Sequence, residues 1–307
     1  MKAPTVDRSD AAGTLARWGT LVRERFRPGP LLALAAALAA SAQLVVAPRL
    51  DATGLIIGAV GVSALLGLLR LMDEVKDLDR DRIAHPERPL PRGVVRPDDA
   101  RRAIHLGVGA LLLGAGLLAA LRAPVTGALY GVCVAYAALM YREFFLGRVL
   151  EARPFTYAAT HQVIVLPMYA FATAAAAPAD ALDPAVLWFG LTGLGASFAF
   201  EVCRKLDPHA HPALGTYLSV HGPGRTFAAA AAAVALASFA AYRIGVHPWV
   251  WPAALLLLAV LAGVRARPER FARAEAAAGL FALVQVLAPT LARLWAIGLD
   301  SLGRIAA

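Results

Sequence analysis

Three aspartates recur at every fourth position in a short charged segment between two apolar stretches: Asp73, Asp77 and Asp81. If this segment is helical, the three carboxylates lie on one face of the helix, one turn apart. Like charges at that spacing repel one another, so the helix gains no stability from them. A divalent cation reverses the sign of that interaction, and Mg²⁺ typically binds one or two carboxylates together with substrate phosphates. The spacing therefore predicts a magnesium site for a phosphorylated substrate.

A second charged segment follows another apolar stretch later in the chain. It contains Glu201, Arg204, Lys205 and Asp207, and Tyr217 lies shortly after it. Arginine binds phosphate oxygens through two hydrogen bonds, whereas lysine acts as a point charge. Acids that can hold a metal and cations that can hold phosphate thus occur in both segments. Because long apolar stretches surround them, we expect a substrate with a diphosphate head and a hydrocarbon tail.

The composition identifies the class of protein that must position these residues. Apolar residues make up 59% of the 307 residues and charged residues 17%, against about a quarter in typical soluble domains. The mean hydropathy is +0.61. These values exclude an ordinary soluble protein and predict an integral membrane protein whose surface faces the lipid bilayer. Cys133 and Cys203 fall in separate predicted helices, so we expect no disulfide between them.

The apolar segments predict the number of helices that cross the membrane. A helix needs about 20 mostly apolar residues to span the hydrocarbon core. Pro167 and Pro289 fall inside predicted spans, and we expect kinks there. The fold class is therefore all-α, a polytopic membrane bundle of nine transmembrane helices. Its predicted spans are 29–47, 53–72, 103–121, 125–141, 155–177, 185–202, 224–243, 247–265 and 276–297.

The domain organisation follows from these spans. Residues 1–28 are basic and lack the apolar core of a secretory signal, so we expect a cytosolic or interfacial N-terminal segment. Residues 29–307 are predicted to form a single nine-helix transmembrane domain. Its two candidate active-site loops lie at about 73–102 and 203–223.

The distribution of basic residues predicts the orientation. With nine spans, 25 of the 30 lysines and arginines fall in the N-terminal segment and in the alternate connections on its side of the membrane. The positive-inside rule places that side in the cytoplasm, together with both charged segments. This bias explains the net charge of +9 better than a nucleic-acid partner does. The high alanine and arginine content is typical of a GC-rich bacterial genome, so we expect a bacterial plasma membrane.

The first charged segment resembles a known family. The acidic ladder is followed by His-Pro-Glu-Arg-Pro-Leu-Pro, from His85 to Pro91, and then by Gly93. This order resembles the first signature of the UbiA superfamily of intramembrane prenyltransferases, whose nine helices and second polar loop also match the predicted layout. The resemblance implies that the three aspartates bind Mg²⁺ and, through it, a prenyl diphosphate. It implies that Arg88 contacts the phosphates or supports the loop.

Two departures from the family pattern suggest a mixed site. The first motif of the family usually opens with Asn-Asp, where this chain has Asp73-Glu74. The second motif usually carries paired aspartates, but here Glu201 takes the first position and Arg204-Lys205 stands where a further acid is expected. Asp207 is close to that motif at a different spacing. We therefore expect one or two Mg²⁺ ions, with Glu201 as a further metal ligand and a basic residue that neutralises the diphosphate directly.

The implied reaction is ionisation of an isoprenoid diphosphate. Metal and basic side chains stabilise the leaving diphosphate, and the allylic cation forms in an apolar cavity that excludes water. An acceptor, commonly an aromatic ring in this family, then attacks the cation. Tyr141, Arg142, His161 and Gln162 are polar groups in or beside apolar helices, so they are candidates to orient an acceptor or take its proton. Anchoring at the interface or hydrogen bonding between helices explains them equally well.

Two other functions compete with prenyl transfer. A terpene cyclase of the same superfamily captures the cation with a double bond of the substrate itself and needs no acceptor. A lipid-binding or transport protein uses basic loops to hold anionic head groups, which explains the cations but not the ladder of acids. The sequence predicts neither the length of the prenyl tail, nor the acceptor, nor the oligomeric state.

Overall fold

The computed structural model describes residues 8–211 and 215–306, and these residues form helices and connecting loops with no β-strand. Residues 1–7 of the predicted N-terminal segment and 212–214 of the second predicted loop lie outside the described residues. The α-helices are α1 Arg8–Leu21, α2 Pro28–Val46, α3 Ala52–Lys76, α4 Leu78–Ala84, α5 Pro97–Leu121, α6 Pro124–Tyr141, α7 Gly147–Glu151, α8 Pro154–Gln162, α9 Val165–Ala174, α10 Pro184–Cys203, α11 Tyr217–Arg243, α12 His247–Ala266 and α13 Phe271–Ala306.

Proline and capping side chains explain where many helices begin. Proline is the first residue of α2, α5, α6, α8 and α10, a position where its missing N–H would have no helical partner. A carboxylate caps α3, because Asp51 accepts a hydrogen bond from the N–H of Gly54 at 2.8 Å. Asp183 likewise accepts from the N–H of Ala185 at 2.7 Å at the start of α10. Proline and capping carboxylates therefore mark where these helices begin.

Eight helices of the described chain are long and apolar enough to cross a membrane, namely α2, α3, α5, α6, α10, α11, α12 and the segment Pro268–Gly298 that contains most of α13. The prediction of an all-α membrane bundle is thus confirmed. Large leucines on α5, such as Leu106, Leu113 and Leu121, are exposed on the outer surface of the bundle. In a membrane protein such a surface contacts lipid.

The fifth predicted span, 155–177, is divided between α8 and α9, which are separated by Val163 and Ile164. The physical cause is Pro167, which has no N–H to donate and whose ring clashes with the carbonyl group four residues earlier. The N–H of Leu166 donates to the carbonyl oxygen of Val163 at 3.0 Å instead, which tightens the turn. The kink predicted at Pro167 is thus a tightened turn between α8 and α9, in which Val163 and Ile164 keep right-handed helical backbone angles, whereas α13 runs through Pro289 without interruption.

The buried core consists of two clusters of side chains that meet at α10. One cluster joins α2, α3, α5, α6 and α9, and the other joins α10 to α13. Cys133 and Cys203 are buried and free, as expected. Helices α10 and α11 pack closely at Gly195, where an added Cβ would lie 2.6 Å from the carbonyl oxygen of Ala233. This packing holds the end of α10, with its charged segment, beside the end of α3.

Candidate active site

The three aspartates stand one turn apart at the end of α3. The N–H of Asp77 donates to the carbonyl oxygen of Asp73 at 2.9 Å, and the N–H of Asp81 donates to the carbonyl oxygen of Asp77 at 2.8 Å. These bonds continue the helical path across the junction between α3 and α4, with Asp77 between the two helices. The spacing in the sequence therefore corresponds to a ladder on one helical edge.

The three carboxylates differ in their surroundings. Asp73 and Asp77 are exposed to solvent, whereas Asp81 is buried. Arg88 donates to Asp81 through Nη1 at 2.6 Å, with the Asp81 side chain only 4% exposed. Breaking a buried pair by removing one partner typically costs about 3–5 kcal/mol. Arg88 thus connects the proline-rich loop to α4, and its guanidinium neutralises the charge of the Asp81 carboxylate.

The fourth acid of this segment, Glu74, faces away from the ladder. Its carboxylate is buried and accepts a hydrogen bond from Nε of Arg25 at 2.8 Å. It also pairs with Nη2 of Arg70 at 2.8 Å. Because Arg25 belongs to the turn that follows α1, this contact ties the N-terminal segment to the end of α3. Both arginines pair with the same oxygen of Glu74, Oε1.

The second charged segment forms a compact ion-pair cluster at the end of α10. Both oxygens of Glu201 are engaged, since Nη2 of Arg204 lies 2.5 Å from Oε2 and Nζ of Lys205 lies 2.7 Å from Oε1. The hydroxyl of Tyr217 also donates to Oε1 at 3.3 Å. Burial lowers the pKa of Arg204, but the carboxylate of Glu201 and its hydrogen bond raise it by more, so the net shift is upward. The guanidinium stays charged.

The two charged segments meet at a polar cavity of about 440 Å³. Asp73 lies close enough to both Asp77 and Arg204 for their charges to interact. Acids and bases from both segments line the cavity. They include Asp77, Asp81, Arg88, Arg204, Lys205 and Asp207.

An apolar cavity of about 340 Å³ lies among α2, α3, α9, α10 and α13. Its walls include Leu66 on α3 and Phe200 on α10. Phe200 directly precedes Glu201, and Leu66 lies two helical turns before Asp73, so the apolar cavity follows the polar cavity along the same two helices. Tyr169 and Ser197 also line it. The arrangement offers a charged mouth and an apolar interior.

A half-buried lysine, Lys76, forms a further polar cluster that the sequence analysis did not identify as part of a site. Nζ of Lys76 donates to the hydroxyl of Tyr157 at 2.8 Å and to the carbonyl oxygen of Met140 at 3.1 Å. It lies 3.4 Å from Nε2 of His161 and 3.5 Å from Oε1 of Glu143. The only signal in the sequence was its position beside Asp77, because its partners come from segments about 65 to 85 residues away.

The remaining predicted residues lie apart from the polar cavity. Tyr141 and Arg142 line a groove between the ends of α3, α5 and α6. His161 belongs to the Lys76 cluster, where Nδ1 lies 2.8 Å from the carbonyl oxygen of Tyr157. Because a carbonyl oxygen only accepts, we assign the proton to Nδ1, which leaves Nε2 to accept from Lys76. Gln162 is half-buried at the end of α8.

The acidic residues fit a metal that is shared with a substrate. In residues 8–211 and 215–306, no group of three or more His, Cys, Asp or Glu side chains is arranged to hold a metal ion. The carboxylates of Asp73 and Asp77 have no hydrogen-bond or ion-pair partner among the described residues, whereas those of Asp81 and Glu201 are engaged by basic side chains. Mg²⁺ commonly uses one or two carboxylates and completes its shell with phosphate oxygens and water. The available pair suits that mode.

Comparison with known proteins gives a consistent result. The model of the UbiA prenyltransferase family matches residues 30–295. The chain is also similar to a solved structure of digeranylgeranylglyceryl phosphate synthase, with a TM-score of 0.64 and 14% identity over 91% of this chain and 99% of that one.

A second solved structure, the apo form of a UbiA homologue from Aeropyrum pernix K1, has a TM-score of 0.60 and 17% identity. That match covers 85% of this chain and 96% of the other. At such low identities, the likeness to both structures concerns the fold. No curated protein matches the sequence.

Proposed function

Because the chain belongs to the UbiA prenyltransferase family, we propose that it is a Mg²⁺-dependent intramembrane enzyme that ionises an isoprenoid diphosphate. The prenyl group is then transferred to an aromatic or other lipophilic acceptor. One observation carries this proposal: Asp77 lines a cavity together with basic side chains, with Asp73 one helical turn before it and near Arg204, and an apolar cavity follows along the same helices. A charged head and a hydrocarbon tail fit these two environments.

The diphosphate head belongs in the polar cavity. Four cationic side chains line the cavity, Arg80, Arg88, Arg204 and Lys205. Arginine suits phosphate oxygens because its N–H groups bind them in pairs. The metal, held by Asp73 and Asp77 in this proposal, supplies Lewis acidity to the phosphate oxygens. Glu201 in turn positions the Arg204 and Lys205 side chains.

Ionisation places new negative charge on the oxygen that leaves. The C–O bond of the prenyl diphosphate breaks, and the electron pair stays with the diphosphate. Arg204 and Lys205 stabilise that charge in place, since donors that are already oriented need no reorganisation during the reaction. Phe200 and Tyr169 line the apolar cavity, where they exclude water from the cation.

The orientation of the enzyme remains part of the proposal. The charge asymmetry of the sequence supports an active site that faces the cytoplasm of a bacterial cell. Both charged segments and the loops that carry them lie at the ends of α3 and α10 that this asymmetry assigns to the cytoplasmic side. The lipid substrate then enters from the bilayer, with its head at the interface.

Diphosphate release tests the proposal directly. Purified protein is incubated with prenyl diphosphates of increasing chain length, with Mg²⁺ or with EDTA, and with or without pooled lipophilic acceptors. We expect release that requires Mg²⁺ and that rises when an acceptor is supplied. Release of a hydrocarbon or terpene alcohol without any acceptor would instead identify a terpene cyclase. No release under any condition would contradict both enzymatic functions and favour a lipid-binding protein.

A further inference from the structure

The carboxylate of Glu201, at the end of α10, is surrounded by hydrogen-bond donors. Oε2 accepts from Nε of Arg204 at 2.6 Å and lies 2.5 Å from Nη2 of the same side chain. Oε1 lies 2.7 Å from Nζ of Lys205 and accepts from the hydroxyl of Tyr217 at 3.3 Å. An ionised carboxylate has about four lone-pair sites, and each of the donor atoms named here occupies one. Glu201 therefore has no lone pair left for a metal ion.

An aromatic stack supports this ion-pair cluster from the side of α8. The ring of Tyr217 is buried and stacks on Phe155 of α8, with centroids 5.1 Å apart. His221 also stacks on Phe155, at 4.4 Å. Nζ of Lys205 stands 5.4 Å from the centre of the Tyr217 ring, where a cation is attracted by the face of the ring. Side chains of the protein thus hold Glu201 and Lys205 together without a metal.

The remaining acid of the second charged segment offers little to a metal. Asp207 lines the polar cavity, but its Oδ1 accepts a hydrogen bond from the N–H of His209 at 2.8 Å. A metal could therefore use Oδ2 at most. Mg²⁺ demands nearly ideal octahedral geometry and is usually bound by one or two carboxylates together with substrate phosphates. The donor set at the end of α10 does not fit a metal ion of its own.

The same cluster supplies positive charge to the polar cavity. Arg204 and Lys205 both line the cavity. Their side chains are 46% and 39% exposed, whereas the Glu201 side chain that holds them is only 13% exposed. Because two cations share one carboxylate, the cluster keeps a net positive charge. A diphosphate in the cavity would meet this charge already in place, with the cost of orienting the cations borne by folding.

We infer that Arg204 and Lys205, held by Glu201, take the place of a second metal ion, so that the enzyme binds its diphosphate with a single Mg²⁺. Glu201 is then a positioning residue for the two cations, rather than the further metal ligand expected from the sequence. The single metal belongs to Asp73 and Asp77. This inference rests on the proposed function and specifies how many metal ions its site uses.

The number of bound metal ions tests the inference without turnover. The solubilised protein is dialysed to equilibrium against radiolabelled inorganic diphosphate and Mn²⁺, which accepts the same oxygen ligands as Mg²⁺. Complexes of the two that are free in solution reach equal concentrations on both sides of the membrane. The excess on the protein side therefore gives the number of metal ions bound with each diphosphate. We expect one in the wild type, and two would overturn the inference.

Reversal of the charge at Lys205 should create the missing metal position. Lys205→Asp removes the cation at Oε1 of Glu201 and adds a carboxylate one helical turn further on, so we expect two Mn²⁺ ions per bound diphosphate. Arg148→Asp makes the same change of charge at an exposed arginine outside the residues that line the polar cavity, and it should keep the ratio of one. A ratio of one in Lys205→Asp would show that the lysine does not stand in for a metal.

Removal of the charge of Glu201 separates a positioning residue from a ligand. Glu201→Gln keeps the shape of the side chain, and we expect it to bind one Mn²⁺ per diphosphate, as the wild type does. A ratio below one in this variant would make Glu201 a ligand of the single metal and would contradict the inference. Lys205→Gln should also keep the ratio of one but weaken diphosphate binding about tenfold or more, because it removes a charge-assisted contact.

The inference and the proposed function fail in different ways. A wild-type protein that binds no inorganic diphosphate in the dialysis and releases none from any prenyl diphosphate contradicts the proposed function. A wild-type protein that releases diphosphate from a prenyl diphosphate but binds two metal ions with it keeps the proposed function and refutes the single-metal site.

Discussion

Among the acids at the end of α3, position in the motif does not determine the role. Asp81 is buried against Arg88, and Glu74 is buried against Arg25 and Arg70. In this part of the described chain, the exposed carboxylates belong to Asp73, Asp77 and Asp79. Asp79 pairs with an arginine on its own helix, which leaves Asp73 and Asp77. The periodicity of the sequence predicts which acids share an edge, but only the three-dimensional neighbours decide which of them is left to bind a cation.

Substitution of Asp77 tests its proposed contact with the metal. Asp77→Asn keeps the shape of the side chain and removes its charge, so we expect diphosphate release to fall by about a hundredfold or more, since metal stabilisation of developing charge is worth several kcal/mol. The measurement is turnover as a function of Mg²⁺ concentration. Asp79→Asn, two residues away and 92% exposed, should behave as the wild type. Unchanged turnover of Asp77→Asn at all Mg²⁺ concentrations would remove Asp77 from the metal site.

At the scale of helices, the sequence predicts that a helix exists more reliably than it predicts whether that helix is continuous. Apolar length identifies eight of the nine predicted spans as continuous helices, because length and hydropathy are properties of a single segment. The break between α8 and α9 depends on Pro167, whose presence predicts a kink but not its extent. The Lys76 cluster was not predictable, since α8, the end of α6 and the turn Glu143–Phe145 after it meet only when the bundle packs.

The contact between α10 and α11 is expected to tolerate little added volume. Alanine usually stabilises a helix relative to glycine by about 1 kcal/mol, but a Cβ at Gly195 would lie 2.6 Å from a carbonyl oxygen of α11. We therefore expect Gly195→Ala to lower the free energy of unfolding in detergent by about 1–3 kcal/mol, the usual cost of overpacking. Gly116→Ala on α5, where nothing lies within 4 Å, should be neutral or slightly stabilising. A stable Gly195→Ala variant would show that the two helices separate easily.

At the scale of the whole molecule, the two charged segments and the two cavities are arranged along the same two helices, α3 and α10. The ends of α3 and α10 carry the polar groups at one end of the bundle, and the apolar cavity lies farther along the same helices. Under the proposed function, a lipid with a charged head would react there without leaving the membrane. The proposal requires that the polar end lie on the side of the membrane where the prenyl diphosphate is supplied, and the proposed orientation makes that side the cytoplasm.

Labelling of single cysteines tests that orientation in intact cells. The native Cys133 and Cys203 are buried, so an impermeant thiol reagent should report only on introduced cysteines. A cysteine at Glu87 or Glu269 should react only after the cells are permeabilised, because the basic connections there are assigned to the cytoplasm. A cysteine at Asp180, in the loop between α9 and α10, should react in intact cells. The opposite pattern would place the ladder of aspartates outside the cell, away from any cytoplasmic supply of prenyl diphosphate, and would contradict the proposed orientation while leaving the family assignment intact.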